Sequence, residues 1–263
     1  MFDVERLQAR LPVEGWGQAF EYYDSLPSTN DQARLMAESG APHGALVVAD
    51  EQTAGRGRGE NTWFTPPNAA LAVSLIIRPG DQEQEYMGAL SALGALAVVE
   101  ALLPLGLEAQ IKWPNDVLLD GRKVSGVLAE ANWQADRLEY AILGIGVNVR
   151  PQSVPPQDQV QWPATCLESA AGQKIDRPDL LVGILEGTAK WYPRLGKPDL
   201  SAALERFLAY KGEEVRLQKD QRTIRGRVSG LDSYGRLVLT TGPGRERIAS
   251  AAWQFNRVDR AEN

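Results

Sequence analysis

Cysteine and histidine, the side chains that most often bind transition metals or pair as nucleophile and base, occur once each in 263 residues. A lone Cys166 cannot form an intramolecular disulfide, which fits a reducing cytoplasm. One histidine and one cysteine leave no zinc site of the usual kinds and argue against a Ser-His-Asp arrangement. His43, between Pro42 and Gly44, reads as turn chemistry, and Cys166 as a small buried hydrophobe. Positive charge is also scarce. Lys and Arg number 28 against 34 Asp and Glu, so the net charge of −6 gives no general affinity for nucleic acid. No segment reads as apolar for long enough to span a bilayer, and Asp3, Glu5 and Arg6 make Met1–Gln8 unlike a signal peptide. No Gly-x4-Gly-Lys-Ser/Thr occurs, so ATP is not bound by a P-loop. The expectation is a soluble cytoplasmic protein with no membrane and no nucleic-acid partner.

What is present is concentrated in a few loops. Gln52-Thr53-Ala54-Gly55-Arg56-Gly57-Arg58-Gly59-Glu60-Asn61-Thr62-Trp63 alternates glycine with arginine and ends on a large flat ring. Glycine lets such a loop approach a ligand closely. The two guanidinium forks suit carboxylate or phosphate. A loop of this composition can close over an anionic small molecule, although on residue types alone a solvated turn is an equal reading.

The first 25 or so residues show little periodicity. Ser28-Thr29-Asn30-Asp31 predicts a capped helix running to Ser39 with a stop at Gly40. Strands are predicted at Ala45–Ala49 and Ala69–Ile77, and a long buried helix at Met87–Leu103. Ala109–Lys112, Val117–Leu119, Lys123–Ala131 and Leu138–Val149 then form a β-meander. Pro151, Pro155, Pro156 and Pro163 predict an extended loop before helices at Pro178–Leu195 and Leu200–Tyr210. From residue 212, short strands at Glu214–Gln218, Arg222–Ser229, Arg236–Thr240 and Arg245–Ala249 predict a small β-barrel.

Two further clusters carry chemistry. Lys112-Trp113-Pro114-Asn115-Asp116 is followed by Arg122-Lys123 and Gly126, and the intervening hairpin brings Asp116 close to Lys123. A lysine so placed can stabilise charge developing on a carboxylate or phosphate oxygen; the plain alternative is a hairpin surface pair. Leu143-Gly144-Ile145-Gly146-Val147-Asn148 is not a dinucleotide fingerprint, because the third glycine is missing and Pro151 follows where a helix should start. Glycines within an apolar strand instead let something flat lie on the backbone.

Together, in this order, Ser28-Thr29-Asn30, Gln52 with the Gly-Arg loop and Trp63, Lys112-Trp113-Pro114-Asn115-Asp116, Arg122-Lys123 with Gly126, and Gly144-x-Gly146-x-Asn148 resemble the biotin–protein ligase family. The likeness covers most of residues 22–150 and extends more weakly to the C-terminal part. It implies an α+β fold, with a mixed, largely antiparallel sheet and flanking helices related to class II aminoacyl-tRNA synthetases. Residues 1–211 would form the catalytic domain and 212–263 an SH3-like domain. The implied reaction activates biotin with MgATP to biotinyl-5′-AMP and transfers biotin to one lysine of a biotin carboxyl carrier protein, such as that of acetyl-CoA carboxylase. Neither step requires an enzyme nucleophile.

Carried over by motif, the resemblance assigns Ser28, Thr29, Asn30 and Gln52 to the biotin ring. Gly55, Arg56, Gly126, Gly144 and Lys123 fall around the biotin tail and carboxylate. Arg56, Arg58, Trp63, Lys112, Asn115, Lys123, Gly146, Asn148 and Arg257 fall on the ATP or adenylate side. Lys123, Arg58 and Asp116 are the expected catalytic residues, and Asp116 is an alternative Mg²⁺ ligand. Glu60-Asn61 stands where family loops continue with glycine and a basic residue, Ala70 where an asparagine is common, and Trp253-Gln254-Phe255-Asn256-Arg257 where the usual ending differs. A lipoate or octanoate ligase shares the fold but fits the Gly-Arg and Lys-Trp-Pro-Asn-Asp motifs less well. A DNA-binding repressor is not expected, with 27 residues ahead of Ser28 and an acidic chain. Edge strands could support a homodimer.

Overall fold

The computed structural model describes residues 2–250 and 252–257. A seven-stranded sheet in the order β1-β2-β3-β7-β6-β5-β4 forms the body of the protein. Its strands are β1 (Phe20–Leu26), β2 (Leu46–Gln52), β3 (Ala70–Ile77), β4 (Ala109–Lys112), β5 (Asp116–Leu119), β6 (Arg122–Gln134) and β7 (Arg137–Asn148). Only β1 and β2 run parallel; every other neighbouring pair is antiparallel, so the sheet is mixed.

The helices are α1 (Val4–Gln8), α2 (Thr29–Glu38), α3 (Asp81–Gln84), α4 (Leu90–Leu102), α5 (Leu167–Ala171), α6 (Arg177–Trp191) and α7 (Pro198–Arg206). Alternation along the strands divides the core in two, as the period-2 geometry of a strand requires. Leu46 and Val48 of β2, with Leu143, Ile145 and Val147 of β7, join the large cluster containing α4 and α6. Val47 and Ala49, with Tyr140 and Ile142, join Ala33 and Ala37 of α2 on the opposite face. The α2 face is covered only at one end. Further along it β7 presents Gly144, Gly146 and Asn148 instead of apolar bulk.

Helix α4 is apolar nearly all round because sheet and α6 enclose it, leaving most of its residues buried. Sequence reading found no segment long enough to cross a bilayer, and here the structure corrects it. Helical turns continue on both sides of α4, so Met87–Leu105 is 19 residues long with mean hydropathy 1.9. Its burial against α6 and the sheet accounts for that composition as core packing.

The expected helix at Ser28–Ser39, the strands at 45–49 and 69–77 and the four-stranded meander all form, with bounds within three residues of those expected. The N-terminal stretch departs from expectation: β1 sits at its end and pairs with β2. Strand β1 is an edge strand with four half-buried residues, two exposed and one buried, in no strict alternation, which is why periodicity did not reveal it. The proline-rich loop contains two single-turn 3₁₀ pieces, Pro151–Ser153 and Gln157–Gln159.

A second, five-stranded antiparallel sheet contains β8 (Glu214–Lys219), β9 (Arg222–Leu231), β10 (Leu237–Gly242), β11 (Arg245–Ala249) and β12 (Gln254–Arg257), in the order β11-β10-β9-β8-β12. Strand β12 was not anticipated. The β9–β10 turn docks on the larger unit, where Tyr234 stacks on Tyr86 at 5.3 Å and the Trp113 indole donates to the Gly235 carbonyl at 3.0 Å.

Candidate active site

A cleft of about 1500 Å³ opens on the uncovered part of the α2 face. Its floor follows from strand register. Gly126 of β6 stands opposite Gly146 of β7, which stands opposite Ala72 of β3. One step along, Leu128, Gly144 and Ser74 form the neighbouring row. Small residues in the first row leave a trough beneath the cleft. The flat object lying in it is the Trp63 indole: a Cβ at Gly146 would collide with that ring, and one at Gly126 would lie 3.1 Å from it. The indole N–H is buried there without a protein acceptor.

At one end of the floor, the start of α2 supplies polar groups. The Thr29 N–H and hydroxyl both donate to Gln52 Oε1, at 2.8 and 3.1 Å, and Gln52 Nε2 donates to Thr65 Oγ1 at 3.1 Å. Ser74 Oγ lies 2.8 Å from Thr29 Oγ1 and 2.6 Å from Asn30 Oδ1. Asn30 presses so closely on Gly144 that any side chain there would strike its carboxamide. Ser28, Thr29 and Asn30 are all buried. Ser28 occupies the helix N-cap with extended dihedrals and makes no side-chain cap bond.

The Gly-Arg loop is a folded hairpin. Gly57 N–H bonds Asn61 O at 2.7 Å, Trp63 N–H bonds Gly55 O at 2.9 Å, and Arg56 bridges to Thr62. Gly55 is required by close approach, since a Cβ there would run into the Trp63 carbonyl. The resemblance places Arg56 around the biotin carboxylate and the phosphate; in the structure it lines the cleft while its side chain is held by two acids. Both Arg56 terminal nitrogens bond Glu130, each at 2.9 Å, and Nη2 also reaches Asp31 Oδ1 at 2.9 Å. Two carboxylates thus neutralise that guanidinium. Arg58 turns inward, and its Nη1 donates to Asn115 Oδ1 at 3.3 Å. Burial lowers the Arg58 pKa, opposed by the negative charge of Asp116.

At the other end stand the charged residues of the hairpin. Asp116 accepts from Lys123 Nζ at 2.5 Å through one oxygen and from Lys112 Nζ at 3.0 Å through the other. Burial opposes ionisation of Asp116, but the charges and hydrogen bonds of Lys123 and Lys112 prevail and hold its carboxyl below the usual range. Two ammonium groups share one carboxylate, which leaves a local excess of positive charge facing the cleft. Lys123 Nζ lies 5.6 Å from the Trp63 ring centroid, and Lys112 Nζ 4.7 Å from that of Trp162. Asn115 Nδ2 donates to the Val127 carbonyl at 2.7 Å, fixing the turn that carries Asp116.

The alternative reading of Asp116 as a magnesium ligand does not fit. Both its oxygens are engaged by lysines, and among the described residues no three His, Cys, Asp or Glu side chains converge as a metal site. The residues present suit the ion only as part of a nucleotide substrate. Asn148 Nδ2 donates to the Thr165 carbonyl at 3.1 Å, anchoring the far end of the proline-rich loop at the cleft edge. The role expected of Arg257 depends on its side chain, which lies outside the described part of β12.

The cleft thus gathers Ser28, Thr29, Asn30, Gln52, Gly55, Arg56, Arg58, Trp63, Lys112, Asn115, Asp116, Lys123, Gly126, Gly144, Gly146 and Asn148. Sequence reading missed Ser74 and Trp162, and also Glu130, which does not line the cleft but holds Arg56 from outside it. Ser74 looks like an ordinary polar residue in an apolar strand, and Glu130 like a solvated acid. Trp162 carried the one available signal, a large aromatic in a proline-rich loop.

Residues 22–148 match the Biotin/lipoate A/B protein ligase family, and residues 211–252 the Biotin protein ligase C terminal domain. The chain is 38% identical over 245 residues to the bifunctional ligase/repressor BirA of Bacillus subtilis, an overlap of 92% of this chain and 75% of that protein. It is 33% identical over 234 residues to a biotin–[acetyl-CoA-carboxylase] ligase of Paracoccus denitrificans, covering 85% of this chain and 95% of the relative. The fold superposes on the biotin protein ligase of Aquifex aeolicus in complex with biotin and ATP with a TM-score of 0.78. That match has 27% identity and covers 92% of this chain and 100% of the other. The ordered motifs, the two-sheet architecture and these relatives together place the chain in the biotin protein ligase family.

Proposed function

We propose that this ligase carries out two acyl transfers in the one cleft, with residues 1–211 forming the catalytic domain and 212–263 a closing module. In the first, a biotin carboxylate oxygen attacks the α-phosphorus of ATP, supplied as its magnesium complex. The bond from that phosphorus to the bridging oxygen breaks, and pyrophosphate leaves with the electron pair. The product is biotinyl-5′-AMP, a mixed anhydride. In the second, the neutral amine of a carrier lysine attacks the acyl carbon, AMP departs, and the amine proton is lost.

The observation that carries this reading is the Lys112–Asp116–Lys123 cluster at the end of a glycine-floored trough. A carboxylate and a triphosphate repel each other, so their approach needs fixed positive charge. Lys123 and Lys112, with Arg58 behind Asn115, supply it in a partly desolvated place. Asp116 stays ionised and holds the two ammonium groups together. Its lowered pKa makes it a weak base, so positioning is its larger contribution and transient acceptance of the amine proton a smaller one. Polar groups around Thr29 and Gln52 suit the ureido ring, and the Trp63 wall suits the adenylate.

Pyrophosphate release from ATP with biotin, compared with lipoate and octanoate, tests this. One burst equivalent with biotin alone is the expected result; release only with lipoate or octanoate would overturn the substrate.

A further inference from the structure

The Glu130 side chain belongs to no motif, yet it binds both terminal nitrogens of Arg56 in the Gly-Arg loop. It lies on β6 opposite Ile142, on the same sheet face as the cleft but beyond the reacting end. Its Oε1 takes Arg56 Nη1 at 2.9 Å, and its Oε2 takes Arg56 Nη2 at 2.9 Å and Asn30 Nδ2 at 2.6 Å. Parallel double bonding of this kind is the strong, directional form of an arginine–carboxylate contact. Asp31 adds a further bond to Arg56 Nη2.

What this contact holds is the loop. Arg56 adjoins Gly55, whose carbonyl accepts from Trp63 N–H, and it bridges to Thr62. Fixing the Arg56 side chain therefore fixes both stems of the hairpin and the seat of the Trp63 indole on Gly146. The other end of the contact is rigid. Asn30 is buried, is bonded to Ser74 and is wedged against Gly144 in the centre of the sheet.

We infer that Glu130 is a positioning residue that latches the Gly-Arg loop over the cleft through Arg56. This inference rests on the two-step reading above. The latch is needed between the two steps, when a water-sensitive anhydride waits for its acceptor. Charge-assisted bonds hold the loop down, and the half-exposed setting of Arg56 and Glu130, with side chains 42% and 36% accessible, lets it reopen. Such a pair weakens as ionic strength rises.

Pyrophosphate release without acceptor protein separates the roles. The wild-type protein is expected to release one equivalent and then turn over slowly, limited by escape of the bound anhydride. Glu130→Ala is expected to keep the one-equivalent burst and its rate. Its subsequent steady release should rise about tenfold, the effect of losing roughly 1.4 kcal/mol of charged hydrogen bonding. Added salt should raise wild-type escape towards that of Glu130→Ala and leave the variant nearly unchanged. Glu130→Gln, which can still accept from one Arg56 nitrogen, should fall between them and serves if the alanine variant fails to fold. Escape equal to wild type in both variants, or a salt response unaltered by the substitution, overturns the latch. Absence of any burst in the wild-type protein would instead overturn the underlying two-step reading.

Discussion

Lys123 Nζ lies 2.5 Å from Asp116 Oδ1, across the turn between β5 and β6. Lys112 approaches the other oxygen of the same carboxylate, so the acid carries two cations. Such an arrangement is poor economy for stability alone, since buried ion pairs recover little beyond their desolvation cost. It makes sense where an anionic ligand completes the charge balance.

Lys123→Ala is expected to lower the rate of acyl-adenylate formation by about 10²–10³-fold, the usual cost of removing one group aimed at developing charge. Far-UV circular dichroism and melting temperature should stay near wild type, because Lys123 is partly exposed at the cleft wall. Near-normal pyrophosphate release would remove Lys123 from the mechanism.

Asp116→Ala leaves two cations facing each other without their shared carboxylate, and about 3 kcal/mol of destabilisation is expected. The pH dependence follows from the sign of the shift. Asp116 titrates below 3.8 in the fold, so its contribution to stability is complete above that ordinary value and is lost as pH falls through the folded one. Urea unfolding at pH 7 and pH 3 reads this directly. The gap between wild type and Asp116→Ala should narrow at the lower pH.

His43 gives a second, separate pH signature. It packs between Trp16 and Tyr192, with ring centroids 4.8 and 5.1 Å away, and its Nδ1 accepts from the Arg78 N–H at 3.1 Å. Burial lowers its pKa from 6.5, with the charge of Glu83 opposing. Neutral His43 therefore contributes stability that is complete above 6.5 and is lost as pH drops through the lower folded value. Melting temperatures between pH 8 and pH 5 should decline more for wild type than for His43→Gln, which lacks the titration. This is a clean comparison in a chain with one histidine.

Gly146→Val tests the trough. Its side chain would occupy the seat of the Trp63 indole, so the ring must leave the floor while the strand, with β-branched neighbours, remains suited to valine. Isothermal titration should then show biotin and ATP binding weakened by at least about tenfold, or about 1.4 kcal/mol, with the melting temperature changed little. Unaltered affinity would mean that this seat has no bearing on the ligand.

The meander, its four strands and the closeness of Asp116 to Lys123 were legible in the sequence because they are local: hairpin turns fix register over a few residues. The glycine pattern of β7 also announced a flat occupant, although not that the occupant would be Trp63 of the same chain. The contact that holds Arg56 was hidden for the opposite reason. Its partner Glu130 is 74 residues away and joins it only through sheet topology. Strand β1 was missed because a half-buried edge strand need not alternate. The length of the α4 region was underestimated because helical turns on both sides extend an apolar run that sequence alone divides at Met87 and Pro104.

The most direct test of the central claim is mass spectrometry of a biotin carboxyl carrier domain after incubation with the protein, biotin and ATP. The account requires a gain of one biotinyl group on a single lysine, dependent on ATP and lost with Lys123→Ala. An unmodified carrier, or a gain that persists without Lys123, would contradict it.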